Sequence, residues 1–321
     1  MTVVLLFILI AGMRAVQAVC GKRASNEVQS NQTFFLYGTY YQILAALFSL
    51  ITLSFTGFQG FTIGAFWCGL VTAAFLMLNF YANLNAVKGC KLIVTQLLNN
   101  GGMLICCFVS WVWFQEAMSV LQGVGLLLFF IAAYLLSSSK TNGAEEEERK
   151  KISKLTWIFL IVMMFAEGGV EISQKYFSLR LKNGSVAWYS FFMFAFSSLI
   201  MGSGLFIIRI GDGQKKRLSL TESGVQTAPL RLNRALLICG VLLALAVFFV
   251  NLSVTKLGKT VSSVVLFPVS AAITICITVL VGRIVYKEKL TVKNLVGVAL
   301  GLLAIIVLAI FTPETTAKIF G

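Results

Sequence analysis

Ten long apolar runs, separated by short polar stretches, follow one another along the whole chain. Each is close to the roughly 20 apolar residues that a helix needs to cross a lipid bilayer. We therefore predict an all-α polytopic membrane protein with ten transmembrane helices. Their approximate limits are 2–20, 34–56, 62–86, 89–114, 118–138, 153–176, 187–209, 234–255, 259–284 and 290–311.

The composition narrows the class of protein further. Apolar residues make up 58% of the chain and charged residues 12%, against about 45–50% and about 25% in an ordinary soluble domain. Histidine is absent and the one aspartate is Asp212, so a Ser-His-Asp triad and a paired aspartyl site are both excluded. We expect no enzyme, no cofactor and no metal site, and we interpret the seven cysteines as small buried hydrophobic residues.

The net charge of +14 does not indicate a nucleic-acid partner, because the Lys and Arg residues are scattered through loops between apolar runs. Loops that follow the odd-numbered predicted helices hold 19 of them, against six on the other side. The positive-inside rule places the richer side in the cytoplasm and both termini outside.

The two halves of the chain resemble each other. Residues 80–84, followed by Lys88 and Lys91, match residues 248–252 at a constant offset of 168, and Lys22 corresponds to Lys175. We predict two five-helix repeats, 1–138 and 153–321, joined by the charged linker 139–152. Because five is an odd number, the second repeat enters the membrane inverted, and such repeats form a binding site near the midplane.

The segment Lys287-Glu288-Lys289-Leu290-Thr291, followed by Gly297 and Gly301, resembles the end of an EamA-type repeat of the drug/metabolite transporter superfamily. Pro268 and Lys22 fit a bacterial branch of that family. The resemblance implies a secondary transporter of metabolites or drugs, often an exporter, in the bacterial inner membrane. It also implies cytoplasmic termini, whereas the loop charges place both termini outside. The orientation in the membrane therefore stays open.

Ionisable residues inside a membrane span are costly and are candidates for function. Glu167 and Glu171 lie in the sixth predicted helix, on one face with Lys175, and Arg14 occupies the position in the first helix that Glu167 has in the sixth. Ala166-Glu167 resembles the carboxylate motif of small multidrug resistance proteins. One hypothesis is that Glu167 exchanges a proton for substrate. The other is a permanent Arg14–Glu167 or Glu171–Lys175 ion pair that fixes helix packing.

Side-chain amides and one proline supply the remaining candidates. Amides inside a membrane turn inward, where they line a cavity or clamp helices together, and both interpretations stay open. Pro268 removes one backbone hydrogen bond from the ninth helix and leaves the Val264 carbonyl free, either as a simple kink or for a ligand. The candidates for substrate or proton binding are thus Glu167, Glu171, Arg14, Asn83, Asn251, Asn99, Asn100, Lys22 and Lys175, with Pro268 as a helix break.

Taken together, these features predict a secondary active transporter of a small metabolite or drug-like solute, coupled to protons and working by alternating access between the repeats. Its expected partners are the lipid bilayer, a small-molecule substrate and the proton, with no nucleic acid, and the protein is expected to be a monomer or a homodimer. The alternatives are a gradient-independent facilitator or channel, and a membrane scaffold or sensor that transports nothing.

Overall fold

The computed structural model describes residues 2–28, 30–89, 92–137, 153–181, 183–218, 232–285 and 292–311. Within these ranges every regular element is an α-helix, which confirms the all-α prediction. The linker 139–152 and the motif around Glu288 lie outside the described residues, and the division into two repeats stays a prediction. The helices are α1 (Thr2–Glu27), α2 (Asn31–Phe55), α3 (Ile63–Gly89), α4 (Leu92–Asn100), α5 (Gly102–Val112), α6 (Val120–Ser137), α7 (Lys154–Arg180), α8 (Val186–Leu218), α9 (Arg234–Leu257), α10 (Ser263–Ile284) and α11 (Val292–Ile310).

Seven of the described helices are long and apolar enough to cross a membrane, namely α1, α2, α3, α7, α8, α9 and α10. Three shorter apolar stretches, Leu98–Val112, Val120–Ala132 and Leu295–Leu308, accompany them. Large apolar side chains such as Phe55, Ile63 and Phe206 are exposed on the outside of the bundle. An outward apolar surface on long apolar helices is what an integral membrane protein requires.

The fourth predicted helix, 89–114, is wrong as a single element. The chain forms α4 and α5 instead, and Gly101 lies between them. The Gly101 N–H donates to the Leu98 carbonyl at 3.1 Å, and the Leu104 N–H donates to the Gly101 carbonyl at 3.1 Å. These tighter i to i+3 bonds interrupt the α-helical ladder, at a pair of glycines that have low helix propensity.

Helices from before residue 139 pack mainly on helices from after residue 152: α1 on α9 and α10, α2 on α8 and α9, α3 on α7 and α8, and α6 on α11. Helices α4 and α5 contact α7 and α10. The buried core therefore lies between the two parts of the chain rather than within each of them.

Three of these helix pairs run antiparallel, as the order of their contacts shows. Along α2 and α8, Phe35 lies against Gly204 and Gly38 against Met201. Along α3 and α7, Phe75 lies against Gly169, and the Asn79 side chain donates to the Met163 carbonyl at 3.1 Å.

The pair formed by α6 and α11 is joined by polar contacts at one end. The Ser119 hydroxyl, just before α6, donates to the Phe311 carbonyl at 2.6 Å, and the Gln122 amide donates to the Leu308 carbonyl at 3.1 Å. Further along, Gly125 lies against Ala304. Because the residue numbers rise on one helix as they fall on the other, these two helices are antiparallel as well.

Candidate functional site

A cavity of about 190 Å³ lies between the two parts of the chain. Helices α1, α2, α3 and α4 contribute its wall from one side, and α7, α8, α9 and α10 from the other. Half of its lining residues are polar or charged, which is unusual inside an apolar helical bundle. Of the residues predicted from the sequence, it brings together Arg14, Lys22, Asn83, Asn99, Glu167, Glu171 and Asn251.

Three predicted site residues do not line this cavity. Asn100 is buried beside it at the end of α4. Pro268 lies inside α10, where its neighbour Phe267 contributes to the lining instead. Lys175 is only 2% exposed and contacts Glu116, which does not line the cavity either.

The backbone of α7 that carries Glu167 is packed directly on the start of α5. A Cβ atom built on Gly102 would lie 2.6 Å from the backbone nitrogen of Gly168 and 2.9 Å from the Cβ of Glu167. No side chain fits in that space, so the two glycines allow the helices to approach closely. This contact fixes the position of Glu167 in the cavity wall.

We expect Gly102→Ala to destabilise the protein by about 1–3 kcal/mol, because the new methyl group overpacks this crossing. Gly123→Ala is the matched control, since a Cβ at Gly123 meets nothing within 4 Å. Thermal unfolding of both purified variants in the same detergent measures the difference. Equal stability of the two variants would show that the crossing is not tightly packed.

Arg14 and the two glutamates face the cavity without forming either predicted ion pair. The Arg14 Nη1 donates to Gln17 Oε1 at 3.1 Å. Among the described residues, Arg14 Nε and Glu171 Oε2 are buried without a hydrogen-bond partner. The cavity therefore holds charges of both signs that the protein itself leaves partly unsatisfied, which is costly unless another group satisfies them.

The partner of Lys175 is Glu116, and the predicted Glu171–Lys175 pair is absent from the described structure. Lys175 Nζ lies 2.8 Å from Glu116 Oε1 and also donates to the Val261 carbonyl at 3.1 Å. The second oxygen of Glu116 accepts the N–H of Ser263 at 3.0 Å, in the first turn of α10. A carboxylate at this place satisfies a free helix-terminal donor and is favoured by the helix dipole.

The Lys175–Glu116 ion pair and the Val87 end of the cavity lie at opposite ends of the bundle. Lys22 and Val87, near the ends of α1 and α3, line the cavity. Since α3 and α7 run antiparallel, the end of α3 with Val87 is far from Lys175 at the end of α7. The Lys175–Glu116 pair thus joins the two parts of the chain on the side away from Lys22.

Two buried sets of hydrogen-bonded amide side chains link helices around the cavity. Asn79 Nδ2 donates to Asn99 Oδ1 at 2.7 Å, which joins α3 to α4. Gln174 Nε2 donates to Asn251 Oδ1 at 2.7 Å, and Asn251 Nδ2 donates to Ser190 Oγ at 2.7 Å, which joins α7, α9 and α8. Asn99 and Asn251 consequently act as helix clamps and cavity lining at once.

Asn79 and Gln174 were not among the candidates predicted from the sequence. Asn79 precedes Asn83 by four residues, which places both on one face of α3, and this spacing was the available signal. Gln174 is adjacent to Lys175 and had no comparable signal, because its partner Asn251 is far away in the sequence.

Hydroxyl groups on α10 form a further polar strip in the wall. Ser270, Thr274 and Thr278 follow one another at spacing four and all line the cavity. Ser270 Oγ and Thr278 Oγ1 are buried and have no hydrogen-bond partner in the described part of the chain. Hydroxyl groups donate and accept, so this strip suits a polar solute or water.

Six cysteines are free thiols, and the seventh, Cys90, lies outside the described residues. The described residues contain no cluster of three or more His, Cys, Asp or Glu side chains that could hold a metal ion.

No family model and no curated protein matches this chain. Solved structures do match its fold. One of them, described only as the crystal structure of a protein, aligns with 95% of this chain and 96% of its own, with a TM-score of 0.61 and 13% sequence identity. At this identity the likeness concerns the fold alone.

Proposed function

We propose that this chain is a secondary active transporter of a small metabolite or drug-like solute, similar to EamA-type members of the drug/metabolite transporter superfamily. The observation on which the proposal rests is the cavity between the two parts of the chain, with Glu167 and Glu171 on one wall and Arg14 on another. Ionisable side chains at membrane depth mark solute and proton pathways.

The helix packing supports two inverted repeats of five spans, with α4 and α5 together as the fourth. In such an arrangement, equivalent helices that meet on the symmetry axis must run antiparallel. The second helices, α2 and α8, and the fifth helices, α6 and α11, both pack in that way.

The other contacts are also reciprocal. The first helix of the leading repeat packs on the third of the trailing one (α1 on α9), and the converse pair is α7 on α3. Likewise α1 contacts α10, while α7 contacts α4 and α5. This reciprocity supports two inverted repeats, the arrangement in which one repeat rocks against the other during alternating access.

Proton coupling in this proposal resides in the carboxylates of α7. A proton and a solute compete for the oxygens of Glu167 and Glu171, so the release of one accompanies the binding of the other. The unpartnered Oε2 of Glu171 is available for either. Arg14 is not ion-paired with Glu167 in the described structure. When no solute is bound, its positive charge compensates the negative charge of the carboxylates of α7.

Alternating access also needs an end that closes. The Lys175–Glu116 pair, with its bonds to the loop before α10, holds the end away from Lys22 together. To open that end, the protein must separate Glu116 from Lys175. By the loop charges, the Lys22 side faces the cytoplasm, whereas the cytoplasmic termini that the family resemblance implies place that side outside; the proposal applies to either orientation.

Solute counterflow distinguishes this proposal from a channel. Purified protein is reconstituted into liposomes that hold unlabelled solute, and uptake of labelled solute is followed for amino acids, purines, sugars and quaternary amines. A carrier takes up the label faster when the same solute is inside, because each return trip is loaded. Uptake that is indifferent to the internal solute contradicts alternating access and favours a facilitator.

A further inference from the structure

The two halves of the cavity wall differ at the position that precedes Lys22 in the first half and Lys175 in the second. In the second half, Gln174 precedes Lys175 and places its carboxamide on Asn251, with Nε2 2.7 Å from Oδ1. In the first half, the residue before the corresponding Lys22 is Gly21. At this position the first half therefore has no side chain that could perform the role of Gln174.

The first half nevertheless retains an asparagine that can accept a hydrogen bond from such a carboxamide. Asn83 corresponds to Asn251 at the offset of 168, and both Asn83 and Gly21 line the cavity. Helix α1 packs on α3 as α7 packs on α9. A Cβ atom built on Gly21 would meet nothing within 4 Å, so the space beside Gly21 is open.

We propose that the space beside Gly21 is a subsite for a carboxamide group of the transported solute, which hydrogen-bonds to Asn83 as Gln174 does to Asn251. This inference rests on the proposed transport function and names the class of solute. The remainder of the solute extends toward Arg14 and Glu171, whose unpartnered atoms lie in the same cavity.

Two properties of the subsite favour a carboxamide over other polar groups. A carboxamide both donates and accepts hydrogen bonds, as the Asn83 side chain does, so the two groups are complementary. Lys22 follows Gly21 and also lines the cavity. Its positive charge disfavours an ammonium group at the same place.

The test uses two pairs of labelled solutes that differ in the amide alone: L-glutamine with L-glutamate, and nicotinamide with nicotinate. Uptake into liposomes is measured for the wild type and for Gly21→Leu, which fills the open space. Gly12→Leu is the matched control, because Gly12 lies on the same helix, is exposed and also has nothing within 4 Å of its Cβ position. Asn83→Leu removes the hydrogen bond without filling the space.

We expect the wild type to take up at least one of the two amides faster than its carboxylate partner. Gly21→Leu and Asn83→Leu are each expected to lower that uptake about tenfold, the factor that 1.4 kcal/mol of lost binding gives, and Gly12→Leu to leave it unchanged. If the wild type moves the carboxylates as fast as the amides, or if Gly21→Leu moves the amide as the wild type does, the subsite is refuted while transport stands. If no solute moves, including those of the wider panel, the proposed function itself fails.

Discussion

The double substitution Glu167→Gln with Glu171→Gln is expected to abolish solute-driven proton movement in liposomes, down to the level of protein-free liposomes. Glutamine keeps the size of each side chain and one acceptor oxygen, but it replaces the second oxygen with an NH2 donor and cannot take up or release a proton. Both residues face the same cavity from one face of α7. A pH-sensitive dye inside the liposomes reports the proton movement.

The control for this experiment is Glu27→Gln, at the exposed end of α1, which is expected to behave as the wild type. Solute counterflow is expected to persist in the double variant, because exchange of one solute for another needs no net proton movement. The single variants then assign the coupling to Glu167 or Glu171. Transport that is still driven by a pH gradient in the double variant would contradict the proton role of both residues.

The second large effect concerns the ion pair between Lys175 and Glu116. Removing one partner leaves an uncompensated buried charge, so Glu116→Gln or Lys175→Met is expected to destabilise the protein by about 3–5 kcal/mol. Lys175 is 2% and Glu116 16% exposed, so water replaces the lost partner poorly. Thermal unfolding in detergent measures the loss, and Lys154→Met, at the exposed start of α7, is the matched control.

A double variant tests whether the loss comes from the unpaired charge itself. Lys175→Met together with Glu116→Leu removes both charges, and an apolar replacement of a buried pair is often neutral. We therefore expect the double variant to be more stable than either single one. If the double variant loses as much stability as the two single variants together, Lys175 and Glu116 act separately and the ion pair does not hold this end of the bundle together.

The helices follow from the sequence because a bilayer imposes their length. A run such as 234–255 is apolar, has few breaks and matches α9 (Arg234–Leu257) closely. Helix α8 extends past the predicted limit of 209 to Leu218, since hydropathy marks where the membrane ends and not where the helix ends. The break at Gly101 escaped prediction because the span was limited by hydropathy, which does not register the low helix propensity of two consecutive glycines.

Candidate site residues were predictable where a membrane makes their residue type unusual. Glu167, Glu171 and Arg14 are charges inside apolar runs, and that cost alone singled them out. The partner of Lys175 was not predictable in this way. Spacing along α7 favoured Glu171, whereas the structure brings Glu116 from another helix connection to 2.8 Å, together with backbone groups of α10 and the loop before it. Which carboxylate pairs with Lys175 therefore depends on tertiary packing.

Proton movement driven by solute in the wild-type protein tests the central claim most directly. Purified protein is placed in liposomes that contain a pH-sensitive dye, and amino acids, purines, sugars, quaternary amines and the carboxamides above are added outside one at a time. We predict that at least one solute changes the internal pH and enters the liposomes in parallel, as measured with its labelled form. Entry of labelled solute without any change in pH would contradict proton-coupled transport and leave a facilitator with purely structural charges.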